Sequence, residues 1–233
     1  LLPAEGRRAV PVLATTATAN ARVVADVVEQ LGVASERDVF VLRGPLARAS
    51  LRLGVLRMPS PAARLAWLLD HLGDLPGSGI VYALTVSAAE DTARALREAG
   101  HEVVAYTGRT DPERRAEIEE DLKANRVKAV VATSALGMGF DKPDLTFVVH
   151  FGAPGSPVAY YQQVGRAGRG TDHADVLLLP GPEDRRIWEY FATASMPDEE
   201  QARAVLGALA DHGGALSVAA LEPDVRIKRT SLE

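Results

Sequence analysis

The sequence predicts an α/β fold in which a parallel sheet is covered by helices on both faces. Two observations carry this prediction. Between residues 63 and 180, short apolar runs alternate with amphipathic segments, and the apolar runs are apolar throughout rather than at every second position. Strands of this kind are typical of parallel sheets, because helices bury both faces. Ligands of such folds bind in loops at the carboxyl ends of the strands, so unusual residues in loops are the candidates for a functional site.

Five apolar runs are predicted to be strands: GIVYAL (79–84), EVVAY (102–106), VKAVVAT (127–133), LTFVVHF (145–151) and ADVLLLP (174–180). Helix signals lie between them. Ser87, with a glutamate three residues later, has the spacing of a capping box, and its helix is predicted to end at Gly100. Another helix is predicted to begin at Asp111 and Pro112, since a proline in the first turn loses no hydrogen bond. Residues 157–164 are predicted to form a further short helix.

The chain is predicted to contain four segments: 1–43, 44–62, 63–190 and 191–233. The first contains an apolar run at 10–19 and an amphipathic helix that ends at Gly32. One strand and one helix cannot form a core, so about 40 residues are expected to be disordered or to complete a neighbouring fold. The second segment is proline-rich and is predicted to be a connector containing a short strand.

Composition excludes several classes of function. The chain has no cysteine, which rules out disulfides, cysteine-bound zinc and thiol chemistry. Its five histidines are scattered without metal-ligand spacing, so no metal site is predicted within it. No apolar run approaches the ~20 residues of a membrane span, and no leader pattern is found, so a cytoplasmic location is expected. The net charge of −5 means that any nucleic-acid contact must come from a local patch.

The segment ATSALGMGFDKPD (132–144) is the first candidate site. Thr133 and Ser134 come directly after a predicted strand. Glycines follow, including Gly139, and then Asp141. Small hydroxyl residues and glycines allow backbone N–H groups to approach a phosphate closely. An ordinary strand-to-loop turn has the same composition, so this pattern alone leaves both interpretations open.

The segment YYQQVGRAGRG (160–170) is the second candidate site. Gln162 and Arg166 are spaced to share one helix face, and Arg169 follows three residues later. The neighbouring glycines leave both guanidinium groups free to converge on one anion, and a guanidinium fork suits phosphate oxygens. Two Gly-Arg pairs after a Gly-Asp loop favour an anion site over a solvated helix end.

Together these segments resemble a known family. VVATSALGMGFDKPDLTFVVHF (130–151) and YYQQVGRAGRG (160–170) are similar to motifs V and VI of superfamily-two helicases, most closely the RecQ-like DNA helicases. TATAN (16–20) resembles motif III. GIVYALTVSAAEDTARAL (79–96) and AYTGRTDPERR (105–115) resemble the motif IV region. The resemblance covers residues 10–180.

The resemblance implies a RecA-like fold for the chain. It makes residues 63–190 helicase lobe 2, residues 1–43 a remnant of RecA-like lobe 1 and residues 44–62 the interlobe connector. Residues 191–233 would be the start of a winged-helix-like module. The four-cysteine zinc platform of the family cannot form without cysteine, which implies a zinc-free subgroup.

The resemblance also implies a nucleotide site. Gln162, Arg166 and Arg169 are similar to the residues that reach across an interlobe cleft to ATP, with Arg166 and Arg169 catalytic and Arg169 the arginine finger. Gly139 and Asp141 are similar to motif V residues near the nucleotide, although many relatives have asparagine in place of the aspartate. ATP with Mg²⁺ would be bound mainly by lobe 1, since the sequence contains no P-loop.

Nucleic-acid contacts are implied in the same way. Thr133 and Ser134 resemble residues that contact the DNA backbone, and Gly108 with Arg109 is assigned to nucleic-acid binding as well. Thr16 and Thr18 resemble residues that couple hydrolysis to strand movement, in the motif that TATAN resembles.

Three departures from the family pattern concern the DNA contacts. The acid that often follows HF is Gly152 here, the arginine that often follows the proline is Gly155, and a histidine common near Thr107 is absent.

DEEQ (198–201) superficially matches an acid pair that binds Mg²⁺. It follows no apolar strand, so it is predicted to be the first turn of a helix.

The sequence therefore predicts part of a RecQ-like ATP-dependent DNA helicase that acts at single-strand/duplex junctions. The resemblance implies a role in DNA repair and recombination and a bacterial, nucleoid-associated location. The chain alone, without lobe 1, is predicted to be inactive. A DEAD-box-type RNA helicase is the alternative, although those usually have His-Arg where this chain has Gln162 and its neighbour Gln163. A non-catalytic nucleic-acid-binding module is the second alternative.

Overall fold

The computed structural model describes residues 12–16, 20–35, 39–44, 47–137, 140–194 and 199–225. The chain divides into two compact units, Leu1–Pro182 and Glu183–Glu233. The elements of the first unit are α1 (Ala21–Ser35), β1 (Leu51–Val55), α2 (Pro61–His71), β2 (Gly79–Ala83), α3 (Val86–Glu98), β3 (Val103–Tyr106), α4 (Pro112–Lys123), β4 (Ala129–Ala132), β5 (Phe147–Phe151), α5 (Pro157–Val164) and β6 (Ala174–Leu179).

The first unit is built on a six-stranded sheet with the strand order β1-β6-β5-β2-β4-β3. Every pair of neighbouring strands is parallel. This confirms the predicted α/β class, and each of the five apolar runs contains one of the strands β2 to β6. Because the central strands β2 and β4 are buried throughout, they need no polar alternation.

Helices cover both faces of the sheet, as predicted. On one face, Ile80, Val130 and Val148 pack with Ile118 and Leu122 of α4 and with α5. On the other face, strand residues pack with leucines in and just after α2 and with the buried side of α3; these residues are Val81, Val131, Val149, Leu68, Leu72, Ala89, Ala93 and Leu96. Burying each large aliphatic side chain contributes about 1.5–3 kcal/mol before the loss of chain entropy is counted.

Helix starts follow side-chain capping rules, with one correction. Asp111 caps α4, and Ser156 caps α5 through a bond from Ala159 N to its hydroxyl. The predicted cap at Ser87 is wrong: α3 begins at Val86, and its cap is Thr85, whose Oγ1 accepts the N–H of Ala88 at 3.2 Å. The extended backbone of Thr85 (φ −129°, ψ 158°) is the geometry an N-cap needs.

The short strand predicted within the connector is confirmed. This strand, β1, joins the sheet as an edge strand beside β6, with Leu51 opposite Ala174. In the N-terminal segment, α1 confirms the predicted helix, so residues 21–35 are helical rather than disordered. The strand predicted over 10–19 is not formed in its described part, since residues 12–16 pair with no strand.

The second unit contains three described helices, α6 (Asp184–Ala194), α7 (Glu199–His212) and α8 (Val218–Val225). Glu199 and Glu200 lie in the first turn of α7, which confirms that DEEQ begins a helix, while Asp198 lies outside the described residues. Ser217 lies just before α8, and its hydroxyl accepts the N–H of Ala220 at 3.3 Å. The winged-helix assignment stays a prediction. No described helix is long and apolar enough to cross a membrane.

Candidate functional site

The candidate residues fall at two places around the sheet. The loops after β3 and β4 lie at the carboxyl edge, and Thr133 N donates to Tyr106 O at 3.2 Å between them. The segment 165–170, here called the arginine loop, differs from the expectation that all unusual loops lie at carboxyl ends. Gly168 N donates to Leu145 O at 3.0 Å and Gly170 N to Pro143 O at 2.7 Å, just before β5 begins. The reason is that α5 must return across the sheet before parallel strand β6 can start.

Arg166 lies just beyond α5 and is half-buried. The helix ends at Val164, so the predicted common helix face of Gln162 and Arg166 is not formed. Gln162 is exposed on α5, whereas Arg166 Nη1 donates to the carbonyl oxygen of Phe140 at 3.0 Å. This bond joins the two segments that the sequence singled out.

The buried Nε of Arg166 has no hydrogen-bond partner among the described residues. The hydroxyl of Tyr82 on β2 is also buried without one. Burial raises the pKa of Tyr82 to about 12, although the nearby charge of Arg166 acts in the opposite direction. The guanidinium is therefore close enough to the hydroxyl to act on it electrostatically without good hydrogen-bond geometry.

Arg169 is exposed and held at two points. Its Nη1 lies 2.8 Å from Asp141 Oδ1, and its Nε donates to Gly165 O at 3.1 Å. Gly168, just before it, has φ +67°, a left-handed conformation that favours glycine. The structure thus brings Arg166 and Arg169 to the segment that carries Asp141. An exposed guanidinium beside a half-buried one suits an anionic ligand.

A buried cluster beneath α5 was missed by the sequence analysis. His150 on β5 stacks on Tyr82 with ring centroids 5.6 Å apart, and Tyr160 lies 5.0 Å away on its other side. Its Nε2 is 2.9 Å from Gln163 Oε1. Burial lowers the pKa of His150 to about 4, against the opposing effect of the bond to Gln163. A histidine in an otherwise apolar strand was the available signal.

The loop after β3 presents Gly108 and Arg109 to solvent. Arg115, which the sequence analysis did not single out, organises this loop. It donates to the carbonyl oxygens of Thr110 at 2.9 Å and Gly108 at 2.8 Å, and its guanidinium lies 5.7 Å from the ring centre of Tyr106. Arg109 is thereby held at the carboxyl edge of the sheet.

Thr133 and Ser134 differ in exposure although they are adjacent. Thr133 is buried, and its Oγ1 accepts the N–H of Ala135 at 3.3 Å, whereas Ser134 is exposed. Because β3 and β4 are neighbours, these residues lie beside the loop that carries Arg109. Thr16 is exposed, while Thr18 and Gly139 lie outside the described residues.

The loop that carries Asp141 is anchored by the next residue, Lys142, whose side chain is 1% exposed. Its Nζ donates to Asp144 Oδ1 at 2.8 Å and to Lys123 O at 3.3 Å. Asn125 Nδ2 donates to the same carboxylate at 3.0 Å. The hydrogen bonds from Lys142 and Asn125 lower the pKa of Asp144. Among the described residues, no group of three or more His, Asp or Glu side chains could hold a metal ion.

Comparison with known proteins agrees with this arrangement. Residues 63–171 match the model of the helicase conserved C-terminal domain. The ATP-dependent DNA helicase RecQ of Pasteurella multocida is 32% identical over 191 residues, which are 82% of this chain and 29% of that protein. RecQ of a Synechocystis strain is 31% identical over 229 residues, 94% of this chain and 47% of that protein.

A solved structure resembles the fold. The E. coli DEAD-box protein SrmB, bound to regulator of ribonuclease activity A, is 26% identical with a TM-score of 0.54, and the match covers 60% of this chain and 83% of that one. This similarity lies in the structure and does not favour the DEAD-box alternative over the RecQ relatives.

The parallel sheet, the adjoining motif V and VI loops and the family match define the class: residues 63–171 form a helicase C-terminal domain. The RecQ relatives make the assignment more particular. The chain is RecQ-like over most of its length, and its helicase C-terminal domain is of the superfamily-two kind, as its motifs predicted. It spans less than half the length of the two RecQ proteins named above.

Proposed function

We propose that the full-length protein is an ATP-dependent DNA helicase of the RecQ type, an enzyme to which this chain contributes lobe 2. The observation that carries the proposal is the arginine loop. It holds Arg166 half-buried against the segment containing Asp141 and leaves Arg169 exposed beside that acid. The RecQ relatives, which are named ATP-dependent DNA helicases, support the same function.

The two arginines have different tasks in this proposal. Arg169 acts as the arginine finger: it exchanges its exposed pair with Asp141 for γ-phosphate oxygens and stabilises the charge that develops during phosphoryl transfer. Arg166 holds the loop to Phe140 and contributes to nucleotide binding as well as turnover. Gln162, Gly139 and Asp141 complete the lobe 2 contacts to ATP. Mg²⁺ and most of the nucleotide are held by lobe 1.

The carboxyl edge of the sheet carries DNA in this proposal. Ser134, Gly108 and Arg109 are exposed on neighbouring loops, where they suit contacts with successive backbone phosphates. Thr133 shapes its turn through the bond that its hydroxyl accepts from Ala135. Thr16 and Thr18 couple hydrolysis to strand movement. The substrate is a single-strand/duplex junction, encountered in DNA repair and recombination at the bacterial nucleoid.

The domain assignment belongs to the same proposal. Residues 1–43 complete lobe 1, and residues 63–190 form lobe 2. Residues 44–62 connect the lobes and also supply the edge strand β1 of the sheet. Residues 191–233 begin a winged-helix-like module that binds duplex DNA. The parallel sheet with its two helical layers supports the RecA-like assignment of lobe 2.

Strand separation by the full-length protein tests the function. ATP-dependent unwinding should be measured on forked DNA, blunt DNA and RNA duplexes, together with ATP hydrolysis with and without DNA. We expect DNA-stimulated hydrolysis and unwinding of the forked DNA. Preference for RNA would favour the DEAD-box alternative, and nucleic-acid binding without hydrolysis would favour the non-catalytic module.

The 233-residue chain alone is expected neither to hydrolyse ATP nor to unwind DNA. Its sequence contains no Gly-Lys-Ser/Thr loop, and the arginines of lobe 2 only complete a site that the P-loop lysine and a strand-end acid form. DNA-stimulated ATP hydrolysis by the purified chain, with contaminating enzymes excluded, would contradict this expectation.

A further inference from the structure

Arg48 contacts the arginine loop across 117 residues of sequence or more. Its Nη1 donates to Gly165 O at 3.2 Å and to Ala167 O at 2.8 Å. These two carbonyl groups flank Arg166 on either side. One guanidinium therefore holds the peptide plane just before Arg166 and the one just after Ala167, and so restrains the backbone around Arg166.

Ser50 fixes the next part of the same loop. Its Oγ donates to Gly168 O at 2.8 Å, and Gly168 immediately precedes Arg169. The backbone of Ser50 is itself tied to the sheet, because its carbonyl oxygen accepts the N–H of Ala174 at 2.8 Å. A Cβ built on Gly168 would come within 2.8 Å of Ser50 Oγ, which shows how closely the two segments approach.

The loop requires such contacts because its own sequence provides little order. Three of its six residues are glycine, which has the largest backbone entropy to lose, and it follows the last turn of α5, where carbonyl groups lack helical partners. Gly165 O accepts from both Arg48 and Arg169. The orientation of Arg169 and the contact of Arg48 thus share one acceptor.

We propose that Arg48 and Ser50 are positioning residues for the arginine pair: they hold the backbone of residues 165–168 so that Arg166 and Arg169 point at the transferring phosphate. This inference rests on the proposed ATP-dependent function. Neither residue touches the nucleotide in this proposal. They act through Arg166 and Arg169, so losing them should lower turnover much more than nucleotide affinity. A displacement of a reacting group by about 1 Å costs up to roughly 100-fold in rate.

Arg52 provides a matched control on the same segment. It is an exposed arginine of β1 whose Nε pairs with Asp175 at 2.9 Å. Replacing it removes the same charge and a sheet-edge contact, and none of the contacts described for Arg52 reaches the arginine loop. Any general effect of losing an arginine in or just before β1 should appear equally in Arg52→Ala.

The first experiment measures steady-state DNA-stimulated ATP hydrolysis by full-length Arg48→Ala, Ser50→Ala, Arg48→Lys and Arg52→Ala. We expect Arg48→Ala to lower kcat by roughly 10- to 100-fold with KM for ATP changed by about twofold at most. Ser50→Ala should have a smaller effect of the same kind. Arg48→Lys, which keeps a donor, should recover part of the loss, and Arg52→Ala should stay near wild type. Equal kcat for Arg48→Ala and Arg52→Ala, or a loss in KM alone, would overturn the proposal.

The second experiment separates positioning from catalysis and from unfolding. Amide hydrogen exchange is measured on peptides covering residues 160–172 of the same full-length variants, together with their melting temperatures. Arg48→Ala should speed exchange at Gly168 and Gly170 by about tenfold or more while distant helices keep their protection, and Arg52→Ala should not. If Arg48→Ala leaves hydrogen exchange in the loop unchanged, or speeds it throughout lobe 2, the inference is wrong. If the wild-type protein shows no ATP hydrolysis, the proposed function fails, while loop exchange still decides whether Arg48 positions the loop.

Discussion

Arg169 and Asp141 form an ion pair with 2.8 Å between Nη1 and Oδ1, and their side chains are 43% and 58% exposed. A pair this open to water contributes only ~0–1 kcal/mol to stability. It orients the guanidinium, yet little free energy is needed to exchange the carboxylate for another anion. The second contact, from Nε to Gly165 O, keeps the arginine in place during such an exchange.

Replacing this arginine should chiefly affect turnover. In the full-length protein, we expect Arg169→Ala to lower the kcat of ATP hydrolysis by about 1,000-fold or more while nucleotide affinity falls far less. The reason is that an arginine finger acts on charge that develops only in the transition state. Steady-state kinetics and the binding of a fluorescent nucleotide give the two quantities.

Two further variants make this result specific. Arg166→Ala should weaken both binding and turnover, because Arg166 also holds the loop to Phe140. Arg94→Ala removes an exposed arginine of α3 that pairs with Asp91 and should leave both quantities near wild type. Nearly normal DNA-stimulated hydrolysis by Arg169→Ala would show that another group acts as the finger.

The strands, the bounds of α5 and the presence of an arginine site could be predicted from the sequence because each depends on local pattern. Apolar runs mark β2 to β6, and Ser156 with Pro157 marks the start of α5. The two arginines were singled out by the Gly-Arg spacing and by the family resemblance. These features lie within a few residues of the signals that indicate them.

The remaining features depend on contacts that no local pattern contains. The composition around Arg48 predicted only a connector. The pairing of β1 with β6 in the folded sheet is what brings Arg48 to the arginine loop. Likewise, nothing in the local sequence distinguishes Lys142 from a surface lysine. Only the folded structure buries it and brings Asp144 and the carbonyl oxygen of Lys123 to its ammonium group. The start of α3 was misplaced because Thr85 and Ser87 both carry a hydroxyl suited to capping, and only the backbone geometry distinguishes them.

His150 should make the stability of the sheet depend on pH. Burial lowers its pKa from 6.5 to about 4, so the unfolded chain binds a proton more readily than the folded one. The contribution of His150 to the free energy of unfolding is fully present above pH 6.5. It is lost as the pH falls from 6.5 towards 4, by at most about 1.4 kcal/mol per pH unit. We expect urea unfolding of the wild-type chain to show this loss between pH 6.5 and 5.

His150→Gln removes the titrating group and should flatten that pH dependence, even though it also lowers stability at pH 7. His173→Gln replaces an exposed histidine and should keep the wild-type slope. A wild-type slope in His150→Gln would mean that other groups cause the pH dependence.

The buried Lys142 should stabilise the loop that carries Asp141. We expect Lys142→Met to lower the free energy of unfolding by about 1–3 kcal/mol at pH 7, because the carboxylate of Asp144 and the carbonyl of Lys123 lose a charged donor. Urea denaturation measures the difference. Lys123→Met, which removes an exposed lysine paired with Glu120, is the control and should have a much smaller effect.

Acid should diminish the effect of that substitution. The folded-state pKa of Asp144 lies below its ordinary value of 3.8, so its contribution is present above that value and is lost as the pH falls through the folded pKa. The difference between wild type and Lys142→Met should therefore shrink in strong acid. A difference that stays constant down to pH 2 would exclude the ion pair as its cause.

Ser134 should lie where DNA passes the carboxyl edge of the sheet. It is exposed beside the loop of Arg109, so a negative charge there should repel backbone phosphates. We expect Ser134→Glu in the full-length protein to weaken single-stranded DNA binding by about tenfold, equally for unrelated sequences, because backbone contacts carry no sequence information. Fluorescence anisotropy at fixed salt measures it. Ala124→Glu adds the same charge just after α4, at the opposite edge of the sheet, and should change affinity little. An effect that depends strongly on DNA sequence, or an equal effect of both variants, would contradict a backbone contact at Ser134.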